Sequence, residues 1–403
     1  MQQLLAGPRA QLDRALLTDA LSLRRGATVR HGIDVFDLTG RPTLERLPWT
    51  SGTVTWAYRE PSETGGQELT RTGIRRRFDV TLSGRVDGIN LSARRLRPWT
   101  GLRMQDGSWA VFRHGLFEPE NPGLADDGVH VRRDVQAVDK AGRWSAKTLG
   151  RPIVVPDNVP IVDYVQASLT AVFGEVDFAI AASTATLGRQ RVFEADDSYL
   201  DFYSELLQGI GHDQLTADEE GRPASQPVSV LAGQGAEATY GARQGKILTA
   251  ASVDPLFPTL PNVLTFYARQ GPTLGNVVGN GLAVRRNERT GPASIEARGG
   301  GVAAELEQRI PVDIDMASPD KQAALEAVAD AEQQRYFAGG GLRFRGRIGL
   351  NPLAGERDVF ALRLPRLGLV NGLWVCTEWS LQMTSLTDQA AALMDVTAER
   401  RVA

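Results

Sequence analysis

The sequence predicts a mainly β protein in which two similar β-barrels or sandwiches bracket a mixed α/β middle, with one short helix at the N-terminus. Three observations predict it. β-forming runs separated by turn residues fill both ends of the chain. Between these ends two helical stripes follow one another, from Pro160 to Gly174 and from Ser198 to Gly211. The seven tryptophans avoid that middle: Trp49, Trp56, Trp99, Trp109 and Trp144 lie in the first 144 residues, Trp374 and Trp379 near the end. Large rings concentrate where cores and interfaces are built. The expected domains are 1–155 (helix and first barrel), 156–255 (mixed middle) and 256–403 (second barrel with an inserted helix at 318–338).

Pro8 follows Gly7, and Leu12, Leu16, Ala20 and Leu23 recur at helical spacing up to Gly26, so a helix opens the chain. Val29 to Leu38 leads into the turn Thr39-Gly40-Arg41-Pro42. Ser51–Trp56 is a β-forming run, and Arg77–Leu82 alternates polar and apolar as a half-buried strand does. Leu102–Met104 and Trp109–Phe112 flank Asp106-Gly107, a tight-hairpin signal. Val129–Val138 closes this region. In the middle, Pro160 opens a helix with the stripe Ile161, Val165, Leu169, Val172 and Phe173, stopped by Gly174. Ser198 N-caps a second helix, with Asp201 three residues on, ending at Gly211. Asp218–Gly245 reads as hairpin and loop. Strands resume at Val263–Tyr267 and Val277–Val284. A helix capped by Ser318 and Pro319 follows, and strands cover Leu342–Ile348, Val359–Leu364, Leu373–Trp379 and Ala392–Val396.

The two ends share a pattern. Gly107 through Leu116 aligns with Gly372 through Leu381 at one constant offset, and Asp106-Gly107 sits where Asn371-Gly372 sits, both favouring a hairpin turn. An internal duplication of a β unit explains the match, and chance agreement of two ordinary hairpins is the alternative.

Composition excludes several classes. With 403 residues, 42% apolar, 23% charged and net charge −3, the chain is neither disordered nor a disulfide scaffold. Of 45 basic residues 41 are arginine; near-neutral net charge gives no general attraction to nucleic acid, so the skew reads as coding bias. Cys376 is the single cysteine, so no intrachain disulfide forms, and its apolar run marks it as a small buried hydrophobe. There is no apolar run of membrane-spanning length and no signal-peptide pattern.

The search for chemistry finds no catalytic, metal or cofactor constellation. Phosphate-loop, zinc and nucleophile-elbow motifs are absent, and Gly275–Gly281 has the wrong glycine spacing. His31, His114, His130 and His212 are scattered, without metal-ligand spacing. Acidic loops occur at Glu118-Pro119-Glu120 with Asp126-Asp127, and at Asp218-Glu219-Glu220. Paired carboxylates there would suit glycoside hydrolysis if they faced one cleft. Arg71, Arg75, Arg76, Arg77, Arg85, Arg94, Arg95 and Arg97 make the N-terminal region locally basic, read as solvated strand faces rather than a phosphate-binding track.

The order of the elements resembles the tail hub family of tailed bacteriophages, the minor tail or baseplate hub proteins. The residues that carry it begin with Ser51–Val54, Arg75–Leu82 and Phe112–Phe117. Val131–Lys140 follows, with Asp134, Ala137, Asp139 and Lys140 in a D-x-x-A-x-D-K-like strand. Asp197-Ser198 with Leu206-Leu207 and Ile210-Gly211, Asp218 and Gly221, Pro261–Leu264, Asn287 with Gly291–Ile295, and Asp358-Val359 continue it. The resemblance implies a structural protein and no enzyme. It implies a homotrimeric ring at the tail tip, whose two barrels per subunit mimic a sixfold tube and whose channel passes DNA. Implied partners are distal tail or tail tube proteins, the tape-measure protein and a central tip or fibre protein. The implied location is the virion tail tip of a phage, or of a gene-transfer or injection particle, assembled in the host cytoplasm. Because the chain stops at Ala403, no attached lysin is expected. A peptidoglycan-degrading tail enzyme using Glu118 or Glu120, and a carbohydrate-binding attachment protein using Trp49 or Trp99, are the competing readings.

Overall fold

The computed structural model describes residues 28–43, 47–57, 75–83, 90–104, 107–126, 131–187, 190–210, 212, 214–227, 236, 238–241, 247–255, 261–268, 282–288, 294–312, 325–326, 329–330, 342–350, 359–367, 369–385 and 393–401. The N-terminal helix, Gly275–Gly281, Arg71, Arg85, Asp127 and His130 lie outside these residues. So does most of the 318–338 helix, of which 325–326 and 329–330 are helical.

Strand dominates, as predicted. The first region holds β1 (Val29–Asp37), β2 (Trp49–Ala57), β3 (Arg75–Ser83), β4 (Arg94–Arg103), β5 (Trp109–Arg113), β6 (Phe117–Asp126) and β7 (Val131–Asp139). The β4–β5 hairpin forms where Asp106-Gly107 placed it. Gly107 adopts φ 83°, its N–H donates to the Met104 carbonyl, and Met104 N–H donates to Ser108. A left-handed residue there is what glycine supplies without steric cost. One reading is corrected: Glu118–Asp126 belongs to strand β6, not to a loop. Its ladder with β7 carries a register shift between Pro119 and Asn121, which leaves Glu120 as the extra residue of a bulge.

The middle comprises α1 (Lys140–Ala146), β8 (Ile153–Val155), α2 (Ile161–Phe173), β9 (Ala179–Ile180), β10 (Arg191–Phe193), α3 (Tyr199–Gln208), β11 (Thr216–Ala217) and β12 (Pro223–Ser225). Helix α2 runs from Pro160 to a left-handed Gly174 at φ 71°. Ser198 caps α3 by accepting the Asp201 N–H, and Gly209 follows its last turn. A separate apolar cluster, including Trp144, Val165, Leu169, Phe202 and Leu206, holds this unit together. Helix α1, within the expected first domain, packs into it through Ala141 and Trp144.

The remaining strands are β13 (Ala238–Gly241), β14 (Ile247–Pro255), β15 (Val263–Ala268), β16 (Leu282–Arg286), β17 (Glu307–Val312), β18 (Leu342–Gly349), β19 (Val359–Leu364), β20 (Leu369–Thr384) and β21 (Leu393–Arg401). β15, β16 and β17 form a small sheet whose Leu264, Phe266 and Ala283 meet Leu325 and Ala329.

The strands of the two ends do not form separate sheets. One 13-stranded sheet runs β1-β4-β6-β7-β3-β2-β20-β21-β18-β14, with β5 on β4 and β13 on β19, which pairs with β20. No ladder among the described residues closes into a barrel. The seam is β2 against β20, antiparallel, with Trp56 opposite Trp379 and their rings stacked at 6.4 Å. One apolar core spans both ends, from Phe78 and Phe117 to Phe344 and Trp374.

β20 spans 16 residues, pairing with β19 along its first half and β2 along its second. Trp374 and Cys376 point inward at even positions, Trp379, Leu381 and Met383 at odd ones. Because strand side chains alternate with period two, one extra residue must switch the parity, and the register shift between Cys376 and Glu378 does so. Asn371-Gly372 is therefore not a turn, as the sequence suggested. It lies inside β20, and the β19–β20 chain reversal occurs near Pro365–Leu367. The two hairpins also differ in register: Leu102 faces Ala110, whereas Leu362 faces Gly372. Trp374 is fully buried, while Trp109 is half-buried beneath Arg30.

Candidate functional site

The chemistry-bearing side chains converge where the first β region meets the middle unit. The corner between β7 and α1 starts it. Asp139 caps α1 by accepting the Ala141 N–H at 3.0 Å, and it accepts the Arg76 N–H of β3 at 3.1 Å. Its carboxyl is completely enclosed. Burial pushes it up to about 6, against the opposing pull of these N–H groups and the Arg76 charge. Lys140, the next residue, reaches Glu175 just past the α2 cap, at 2.7 Å, with both side chains buried. Asp134 accepts from the Thr81 hydroxyl at 2.8 Å, and Ala137 is buried opposite Phe78. The four residues of the D-x-x-A-x-D-K-like strand thus each bind a neighbouring element.

The β11–β12 hairpin completes the junction. Asp218 shapes its turn by accepting the N–H groups of Glu220 and Arg222 and the Arg222 guanidinium. Gly221 closes it at φ 78°, and a Cβ there would lie 2.8 Å from Leu116, so only glycine lets the turn seat on the β5–β6 connection. Glu219 then pairs with Arg76 at 3.0 Å. Glu220 accepts two hydrogen bonds from Arg113, at 2.8 and 2.9 Å, and sits 3.5 Å from Arg97. Burial is the largest influence on the Glu219 carboxyl and pushes it up, but the Arg76 charge and hydrogen bond together with a backbone N–H and the N-terminal charge hold it below the usual range.

Beneath the hairpin, His31 and His114 share the Thr100 hydroxyl at 3.0 and 2.7 Å. One hydroxyl proton serves one acceptor, so at least one imidazole carries its proton on the nitrogen facing Thr100. Burial lowers His31 to about 4, and burial with the His31 and Arg76 charges lowers His114 to about 3. Both rings are neutral at pH 7. His114 also lies edge-on to Trp379 at the sheet seam, 6.2 Å away.

These placements revise several readings. Arg76 and Arg95 are buried rather than solvated, and Arg97 keeps only 13% of its side chain exposed; Arg77 is exposed as expected. Glu118 is bound by Arg95 at 2.9 Å, and the carboxylates of Glu219 and Glu220 serve arginines. His212 is buried in the middle unit, apart from the His31–His114 pair. Cys376 is buried, as its apolar run implied. Trp49 packs against the main core, and the Trp99 Nε1–H donates to Asp34 at 3.1 Å. Among the described residues no cluster of three or more His, Cys, Asp or Glu has the arrangement of a metal site, and no helix is long and apolar enough to cross a membrane. The site is a network of ion pairs that orients two units, with no exposed nucleophile and base brought together within it.

No family model matches the chain, and no curated protein matches it in sequence. Solved structures do. The tail protein from Neisseria meningitidis MC58 superposes with a TM-score of 0.60 at 11% identity, over 92% of this chain and 96% of the other. The 43 kDa tail protein of prophage MuSo2 from Shewanella oneidensis gives 0.57 at 11% identity, over 91% and 98%. Prophage tail protein gp18 from Listeria monocytogenes EGD-e gives 0.50 at 11% identity, over 91% and 94%. The fold of this chain is that of phage tail proteins.

Proposed function

We propose that this chain is a structural component of a phage or phage-like tail tip, three copies of which form a hub ring joining the tail tube to the tip around a channel for DNA. The observation that carries the proposal is the match of nearly the whole chain to nearly the whole of two tail proteins. A partial match would follow from one shared β region, but a match over both full lengths includes the order of β region, mixed unit and β region. The engaged carboxylates fit a role without catalysis, since Glu118, Glu219 and Glu220 are each held by arginine. Distal tail or tube proteins, the tape-measure protein and a central tip or fibre protein are the proposed neighbours, with assembly in the host cytoplasm. Gold-labelled antibody against this chain should decorate the tail tip of intact particles. Decoration of the head, or particles that lack the chain, would overturn the proposal.

A further inference from the structure

We propose that the outer face of β1, β4 and β5 in one copy docks on the exposed β8–β10 face of the middle unit in a second copy. This rests on the homotrimeric reading above and names the surfaces that would build the ring.

The first face is aromatic and, on balance, basic: Arg30, Arg97, Arg103 and Arg113 stand on it against Asp34, with Glu220 of the β11–β12 hairpin bound to Arg97 and Arg113. Trp99 lies flat across Gly32, where a Cβ would come within 2.2 Å of the indole, and Gly101 lies under both Trp99 and Trp109. Arg30 stacks over Trp109 at 4.3 Å. Val111, opposite Gly101 in the ladder, is 57% exposed amid these rings. Arg103 is exposed beside it on the same face, opposite Trp109. Tryptophan and arginine grouped around an exposed aliphatic residue are the residue types that dominate protein interfaces.

The second face is its complement. Val154 and Val192 are direct cross-strand partners in a two-stranded sheet, and both are about half exposed, at 50% and 52%. Glu194, Asp196 and Asp157 are exposed close by in sequence, against Arg151. The unit as a whole is acidic: residues 140–227 hold thirteen Asp and Glu against seven Lys and Arg. An apolar centre with a basic surround thus faces an apolar centre with an acidic surround. The faces differ, so the contact is head-to-tail, and such a contact closes into a ring when its rotation permits. Complementary charge would set partner and register, and the apolar centres would supply most of the affinity.

Sedimentation velocity on the full chain over a range of concentrations tests this, with near-UV dichroism confirming that each variant folds. The wild type should self-associate. Val111→Asp and Val192→Asp should each weaken association by about tenfold to a hundredfold. Arg103→Glu and Glu194→Arg should each weaken it too, and the chain carrying both should regain part of the loss. Association indifferent to either valine substitution would overturn the inference while leaving a trimer through another face. A chain monomeric at all concentrations would also overturn it, whereas the tail-tip location stands or falls separately by antibody labelling.

Discussion

Removing the Glu175 carboxylate should unfold the corner that joins α1 to α2. Lys140 and Glu175 keep only 11% and 9% of their side chains exposed and are 2.7 Å apart. In Glu175→Ala the ammonium stays enclosed while its counter-charge is gone. Breaking a buried pair from one side costs about 3–5 kcal/mol. At 1.4 kcal/mol per factor of ten, amide protection in α1 and α2 should fall by about two to three and a half decades, read by native-state hydrogen exchange. The double variant Lys140→Met with Glu175→Met replaces both charges by apolar groups of similar length, and should return to within about 1–2 kcal/mol of the wild type. Protection in Glu175→Ala within about 0.5 kcal/mol of the wild type would refute the reasoning. It would mean that the lysine escapes to water and that the pair does not hold the corner.

Other outcomes follow from the same network. Asp139 has its folded value raised from 3.8 to about 6, so the folded state holds this proton more tightly and the resulting stabilisation fades as pH rises from about 4 through 6. His31 and His114 have folded values lowered from 6.5 to about 4 and about 3, so their stabilisation is lost as pH falls below 6.5. The two effects oppose each other between pH 4 and 6, and urea titrations across that window should show Asp139→Asn steepening the acid loss and His114→Gln flattening it. Gly221→Ala should cost about 1–2 kcal/mol from its left-handed backbone alone. Limited proteolysis should detect loosening of the β11–β12 hairpin, with Leu116→Ala relieving only the steric part. A double-mutant cycle of Trp56→Leu and Trp379→Leu, followed by thermal unfolding, should yield a coupling of about 0.5–1.5 kcal/mol, because the rings stack at 6.4 Å across the seam.

Local signals made much of the fold legible. Pro160, Gly174 and Ser198 bound their helices, and Gly107 marks its hairpin, because caps and turns are satisfied by residues close in sequence. β6 was hidden because Pro119, Pro122 and Gly123 are loop residues by local preference, while its ladder with β7 supplies the compensation only in three dimensions. The turn expected at Asn371-Gly372 fails for the same reason: β19 pairs Leu362 with Gly372, and β21 joins the other edge of β20 from Leu373 onward, so the strand runs through the dipeptide. The site was the least legible part. Arg76 and Glu219 are 143 residues apart and Arg113 and Glu220 are 107 apart; Arg76 came from a stretch read as solvated strand faces, and Arg113 stood out only as part of the Phe112–Phe117 motif. One signal was available: Asp139-Lys140 after an alternating strand is an N-cap followed by a charge, marking α1. The tryptophan skew pointed to two aromatic ends without showing that Trp56 and Trp379 meet.

A cryo-EM map of the assembled particle tests the central claim most directly. The account predicts three copies of this chain in one ring at the tail tip, coaxial with the tube and enclosing an open channel. A peripheral copy, or a ring without threefold symmetry, would contradict it.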